Sequence, residues 1–245
     1  MSGDPERAMI STDHDRVRVK ICGLTRPADA AHAEAHGASY LGVILAGGPR
    51  LLTVPQARTV IGPRRSGIQR VAVFGDQPAE EIVAIADTLD LDVLQLHGHS
   101  IRANDSKASR TYTDTVAWIR RTSGRTVWPV LRVSGQQLPD DAMQLAQVAG
   151  VLVLDAHVVG QLGGTGVALD WSGLRDSMAS LRQAVPSLQL VLAGGLRPEN
   201  VAAAIGLLSP QVVDVSSGVE VAPGVKDPER VQRFVKAAHG AVETE

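Results

Sequence analysis

The chain has 245 residues, 44% of them hydrophobic and 20% charged, with a formal net charge of −2. That is enough length and apolar content for a sizeable core, and the near-neutral charge gives no electrostatic reason to expect nucleic acid or an anionic membrane as partner. At 3% aromatic residues the chain offers few stacking platforms for single-stranded nucleic acid, and no apolar run approaches the roughly 20 residues of a membrane span.

The one cysteine, Cys22, excludes an internal disulfide and fits a reducing compartment. The closest histidines, His97 and His99, have no cysteine or third histidine near them in sequence, so no metal site is expected. The opening stretch, MSGDPERAMISTDHDR, carries acids and lacks the apolar centre of a signal peptide. A cytoplasmic location is expected.

Residues 1–15 are polar and aperiodic and read as a disordered or loosely docked extension. From there strands and helices alternate. Val17–Ile21 is a strand, and Thr25 is positioned to cap a helix that has Pro27 near its start and Gly37 at its end. Tyr40–Leu45 is the second strand, with a helix at Pro55–Ile61. Gln69–Phe74 is the third, and the helix after it lines up Ala79, Ile82, Val83, Ala86 and Leu89 on one face. Val93–Leu96 is the fourth strand. A polar loop, His97–Tyr112, leads to a helix near Asp114–Thr122. Thr126–Val133 and Val151–Leu154 are the fifth and sixth strands, separated by a helix at Asp140–Val148. A glycine-rich loop, Ala156–Asp170, precedes a helix at Trp171–Ala184. Leu188–Leu192 is the seventh strand, with a helix from Pro198 to Leu208. Val212–Val215 is the eighth, and the last helix carries Val231, Phe234, Val235 and Ala238 on one face.

Eight apolar strands, each followed by a helix, predict an α/β chain: a single-domain (β/α)8 TIM barrel over residues 16–245. A doubly wound open sheet is the alternative, but it would carry its glycine-rich fingerprint after the first strand. Here the glycine-rich turns, Gly194-Gly195 and Ser217-Gly218, follow the seventh and eighth strands, where barrels commonly hold phosphate on backbone N–H groups.

Polar residues at the C-terminal strand ends share one barrel mouth. Cys22 is either a small buried hydrophobe or a thiolate base. Asp155 follows VLVL and is either a turn residue or an acid facing Cys22 across the mouth. Arg50 is either a surface cation or a fork for a carboxylate. His97 reads equally as a hydrogen-bonded core histidine or a ligand contact. Lys20, two residues before Cys22, should point the same way and is positioned to lower the thiol pKa. The run at 163–166, which includes Gly164, suits a loop closing on a ligand.

Taken together, VKICGLT (19–25), VLQLHG (93–98), VLDA with the later GGTG and ALDW (153–171), LAGGLRPENV (192–201) and DVSSGVEVAPGVKD (214–227) resemble the phosphoribosylanthranilate isomerase family of tryptophan biosynthesis. The resemblance runs from the first strand to the last helix. It implies an Amadori rearrangement of N-(5'-phosphoribosyl)anthranilate, with Cys22 as general base and Asp155 as general acid. It further implies Arg50 on the anthranilate carboxylate, and the phosphate on Gly194, Gly195, Ser217 and Gly218. Lys20, His97, Gly164 and Asp214 are possible further substrate contacts. No cofactor and no metal are implied, the partner is a small phosphorylated substrate, and a monomer is the default expectation. The loop after the second strand, GVILAGGPRLL, lacks the aromatic residues and serine usual in the family but keeps Arg50 by position.

Overall fold

The computed structural model describes residues 16–97, 111–133, 137–156 and 171–241. The predicted extension at 1–15 and the loop glycine Gly164 lie outside these residues. Eight parallel strands form the core: β1 (Arg18–Ile21), β2 (Tyr40–Ile44), β3 (Gln69–Phe74), β4 (Val93–Leu96), β5 (Thr126–Val133), β6 (Val151–Ala156), β7 (Gln189–Ala193) and β8 (Val212–Val215). They pair in sequence order and β8 returns to β1, so the sheet is a closed barrel rather than an open doubly wound one.

The helices alternate with the strands: α1 (Pro27–Ala35), α2 (Val54–Ile61), α3 (Ala79–Leu89), α4 (Tyr112–Ser123), α5 (Ala142–Ala149), α6 (Trp171–Ala184), α7 (Val201–Leu208) and α8 (Pro228–Gly240). Two of them begin with reciprocal capping boxes, Thr53 with Gln56 and Thr111 with Asp114. The amphipathic spacing of α8 is realised: Val231, Phe234, Val235 and Ala238 are all buried.

Two local readings change, and one stretch gains structure. Thr25 does not cap α1. Its hydroxyl donates to the Gly224 carbonyl at 2.5 Å, and Arg26 occupies the N-cap position without a side-chain cap. The helix expected from Pro198 starts at Val201, because residues 197–200 form a turn in which the Arg197 N–H donates to Asn200 Oδ1 at 2.7 Å. The stretch after β8 carries structure that the sequence reading did not assign. It forms a 3-10 turn, Ser217–Val219, and a small antiparallel hairpin of β9 (Glu220–Ala222) and β10 (Val225–Lys226).

Inside the barrel the two-residue period of each strand stacks side chains in rows. Near the floor Tyr40 meets Trp128 edge to face at 5.0 Å, and the Arg18 guanidinium lies over the Tyr40 ring. One row up, Lys20 on β1 and Asp214 on β8 are register partners and pair at 2.7 Å. At the C-terminal mouth, Arg132 on β5 is the register partner of Asp155 on β6. The outward strand faces are almost wholly apolar and covered by helices.

Phe234, fully buried on α8, tests this packing. Phe234→Ala is expected to destabilise the fold by about 3–5 kcal/mol, read as a lower urea midpoint at unchanged m-value.

Candidate active site

Cys22 continues inward from β1, and its N–H donates to the Val215 carbonyl at 2.8 Å, tying the end of β1 to the end of β8. The thiol is buried. Beneath it Lys20, with no solvent exposure, hydrogen-bonds Asp214 at 2.7 Å and interacts electrostatically with Cys22. Lys20 thus lies within electrostatic reach of the thiol. Its consequence is more limited than expected. Burial pushes the Cys22 thiol pKa up, and Lys20, with a smaller pull from Lys226, offsets only part of that rise. Burial also disfavours the Lys20 ammonium, yet Asp214 and Cys22 outweigh it, so Lys20 stays charged.

Asp155 closes β6 on the same mouth. Asp214 interacts electrostatically with both Cys22 and Asp155, so the three acidic groups share one electrostatic neighbourhood. One carboxylate oxygen of Asp214 is buried without a hydrogen-bond partner among the described residues, as are Ser216 Oγ and Gln95 Oε1. Such buried polar atoms call for a partner, from water or from a bound ligand. His97 is hydrogen-bonded: its Nε2 lies 3.0 Å from Asp155 Oδ2, and Arg132 Nη2 lies 3.0 Å from its Nδ1.

Arg50 reaches the same mouth over Gly23. A Cβ on Gly23 would collide with the Arg50 side chain and with Ser216 Oγ, and its φ of +67° favours glycine independently. The Arg50 fork is already engaged by Glu220, with Nε at 2.8 Å and Nη2 at 2.5 Å. Glu220 in turn accepts from Lys226 Nζ at 2.7 Å. Burial opposes the Glu220 carboxylate, but Arg50 and Lys226 outweigh it and hold its pKa below the ordinary glutamate value. Burial lowers the Lys226 pKa, with Glu220 pulling the other way.

The two glycine-rich turns meet. Gly218 packs so tightly on the loop after β7 that a Cβ would overlap the Leu196 carbonyl oxygen. Gly194 and Gly195 both adopt positive φ, at 85° and 67°, and turn the chain away from β7. Ser217 opens the 3-10 turn beside them. The four residues thus form one patch of strand-end backbone at the mouth.

Among the described residues, no three His, Cys, Asp or Glu side chains are grouped as a metal ion would require. No described helix is long and apolar enough to cross a membrane. Sequence reading missed Arg132, Glu220 and Lys226. The one available signal for the last two was charge of opposite sign bracketing the Pro223-Gly224 turn.

The family model for N-(5'phosphoribosyl)anthranilate (PRA) isomerase matches residues 19–237. The chain belongs to this family. A relative from Pseudomonas fluorescens, N-(5'-phosphoribosyl)anthranilate isomerase, is 36% identical over 93% of this chain and 98% of its own. The phosphoribosylanthranilate isomerase structure from Thermotoga maritima superposes with a TM-score of 0.75 at 31% identity, covering 91% of this chain and 99% of that one. A further isomerase structure, solved with reduced 1-(o-carboxyphenylamino)-1-deoxyribulose 5-phosphate, gives a TM-score of 0.71 at 30% identity, covering 91% and 99%. Family membership agrees with the sequence motifs, and the closed barrel with the strand count.

Glu220 tests the ion-pair cluster. Removing one member of a buried pair leaves the other charge uncompensated, so Glu220→Gln is expected to cost about 3 kcal/mol at neutral pH. Because the folded-state pKa of Glu220 is depressed, its contribution is complete above the ordinary value of 4.5 and is lost as the pH falls through the lower folded value. Denaturant melts across the acid range should show the gap between wild type and variant closing below that value.

Proposed function

We propose that this chain converts N-(5'-phosphoribosyl)anthranilate to 1-(2-carboxyphenylamino)-1-deoxyribulose 5-phosphate, with Cys22 as general base and Asp155 as general acid. The observation that carries the assignment is the shared mouth: a buried thiol directly after β1 and a carboxylate at the end of β6, both within the electrostatic reach of Asp214, in a chain of this family. Asp155 delivers a proton to the ribose ring oxygen as the C1–O bond breaks and the anthranilate nitrogen forms C1=N. Cys22 then takes the C2 proton, the freed electron pair forms C1=C2, and tautomerisation leaves the ketone at C2. One acid and one base suffice for this sequence of proton shifts.

The remaining roles follow from charge and shape. Arg50 pairs with the anthranilate carboxylate through donors not used by Glu220. Gly194, Gly195, Ser217 and Gly218 offer backbone N–H groups to the phosphate. The far-end phosphate and the carboxylate fix the ribose between Cys22 and Asp155, so remote binding energy orients the reacting carbons. His97 and Asp214 act on Asp155 and Cys22 rather than on the substrate's ends. A monomer is the default reading, and the single cysteine, kept as a free thiol, fits a cytoplasmic catalyst.

The decisive assay follows the loss of anthranilate fluorescence with substrate generated in situ. Cys22→Ser and Asp155→Asn are each expected to lose at least about 10²-fold in kcat. Inactive wild type would overturn the function, and full activity in Asp155→Asn would overturn the acid assignment.

Because burial raises the Cys22 thiol pKa, kcat/KM should keep climbing as the pH rises above neutrality. The double substitution Lys20→Met with Asp214→Asn removes the pair without stranding either charge. It also removes the main cationic pull on the thiol, so the limb should move to still higher pH. Asp214 pushes the thiol the other way, so an unmoved midpoint would show that the pair as a whole does not set the thiol pKa.

A further inference from the structure

Three strands contribute to one hydrogen-bonded chain at the mouth: Arg132 from β5, His97 directly after β4, and Asp155 from β6. Arg132 Nη2 lies 3.0 Å from His97 Nδ1, and His97 Nε2 lies 3.0 Å from Asp155 Oδ2. A guanidinium has donors and no acceptor. His97 Nδ1 must therefore accept, and a protonated Nδ1 would direct an N–H at a fixed cation. That leaves one neutral tautomer, with the proton on Nε2, and this N–H donates to Asp155. The two contacts are compatible with each other only in that form.

We propose that Arg132 is a positioning residue for the isomerisation: it holds His97 as the neutral Nε2–H imidazole, and His97 in turn holds the Asp155 carboxyl in its proton-delivering orientation. This rests on the assignment of Asp155 as the acid. With Oδ2 accepting from His97, the proton to be delivered sits on Oδ1. Once it has left, the carboxylate is met by an N–H donor already in place, so the charge forms without reorganisation. The register supports a fixed geometry. Arg132 and Asp155 are Cα partners in adjacent paired strands, and the His97 N–H is anchored to the Phe74 carbonyl at 2.8 Å. Side chains held from rigid strand ends keep their mutual spacing better than loop residues do.

The test is a double-mutant cycle on kcat with Arg132→Met, His97→Ala and the pair, each first checked for wild-type circular dichroism. Arg132→Met is expected to lower kcat roughly tenfold with KM within about twofold. In the His97→Ala background the same substitution should change kcat by less than about twofold, because Arg132 then has nothing to hold. Losses that multiply would overturn the proposal, and so would a loss confined to KM, which would make Arg132 a direct substrate contact. A second arm is independent of turnover. Long-range 1H–15N spectra of the wild-type protein should show His97 with Nδ1 unprotonated and Nε2 protonated at neutral pH. A Nδ1-protonated ring would overturn the proposal even in an active enzyme. An inactive wild type whose His97 shows the expected ring form would instead count against the isomerase assignment and leave the Arg132–His97 contact standing.

Discussion

The buried pair between Lys20 and Asp214 is the interaction on which the rest of the site depends. The two residues are register partners across the seam where the last strand joins the first, so the contact that closes the barrel also sits directly under Cys22. Removing both charges from water is costly, and apolar residues of similar volume would often serve stability as well or better. The pair is therefore poorly explained as a fold device. It is well explained as a fixed charge: Lys20, paired with Asp214, favours the thiolate form of Cys22. A cation held by its own counter-ion, with no solvent to rearrange, is the kind of environment in which a thiolate forms at the moment of proton transfer.

The same economy of placement explains why the fold was legible in sequence and part of the site was not. Strands such as Val93–Leu96 and Val212–Val215 are short apolar runs with turn residues at their ends, and their existence follows from local composition. Cys22, Asp155 and the two glycine turns were also readable, because strand ends in a barrel converge on one mouth. Pairings between distant residues carry no such local mark. Nothing near Arg132 indicates that it meets a histidine 35 positions earlier. The hairpin at Glu220–Lys226 hid in a run of Val, Ala, Pro and Gly that has little periodicity. Where a local signal was used and failed, a tertiary contact had replaced it: Thr25 gave up its capping role to bond the Gly224 carbonyl in the hairpin after the neighbouring strand β8.

That replacement ties the hairpin to the site. Thr25 holds Gly224, the Lys226 N–H donates to Asp29, Arg26 reaches the Lys226 carbonyl, and the Arg230 guanidinium donates to the Glu220 carbonyl. The hairpin is thereby clamped to the start of α1 on one side and to α8 on the other. Its inward product is Glu220, which orients Arg50. A long arginine at the end of a glycine-rich loop would otherwise lose substantial rotamer entropy on binding a ligand. Engaged beforehand by a carboxylate that is itself neutralised by Lys226, it meets that cost in the folded state rather than in the complex.

Two pre-arranged clusters thus flank the position assigned to the ribose. On one side Glu220 and Lys226 orient Arg50, the proposed carboxylate fork. On the other, Arg132 and His97 form a hydrogen-bonded chain to Asp155, the proposed acid. The difference in solvent access follows the difference in task. Glu220 and Lys226 are buried, with side-chain exposures of 5% and 2%, whereas His97 and Asp155 remain about a quarter exposed, at 28% and 29%. A binding fork gains from a dry, rigid support, because each hydrogen bond is stronger where water does not compete. An acid that must be reloaded after every turnover needs a route back to solvent protons, and complete burial would close it. The mouth of the barrel meets both demands at once because strand ends lie at its rim while the row beneath them, Lys20 and Asp214, is sealed.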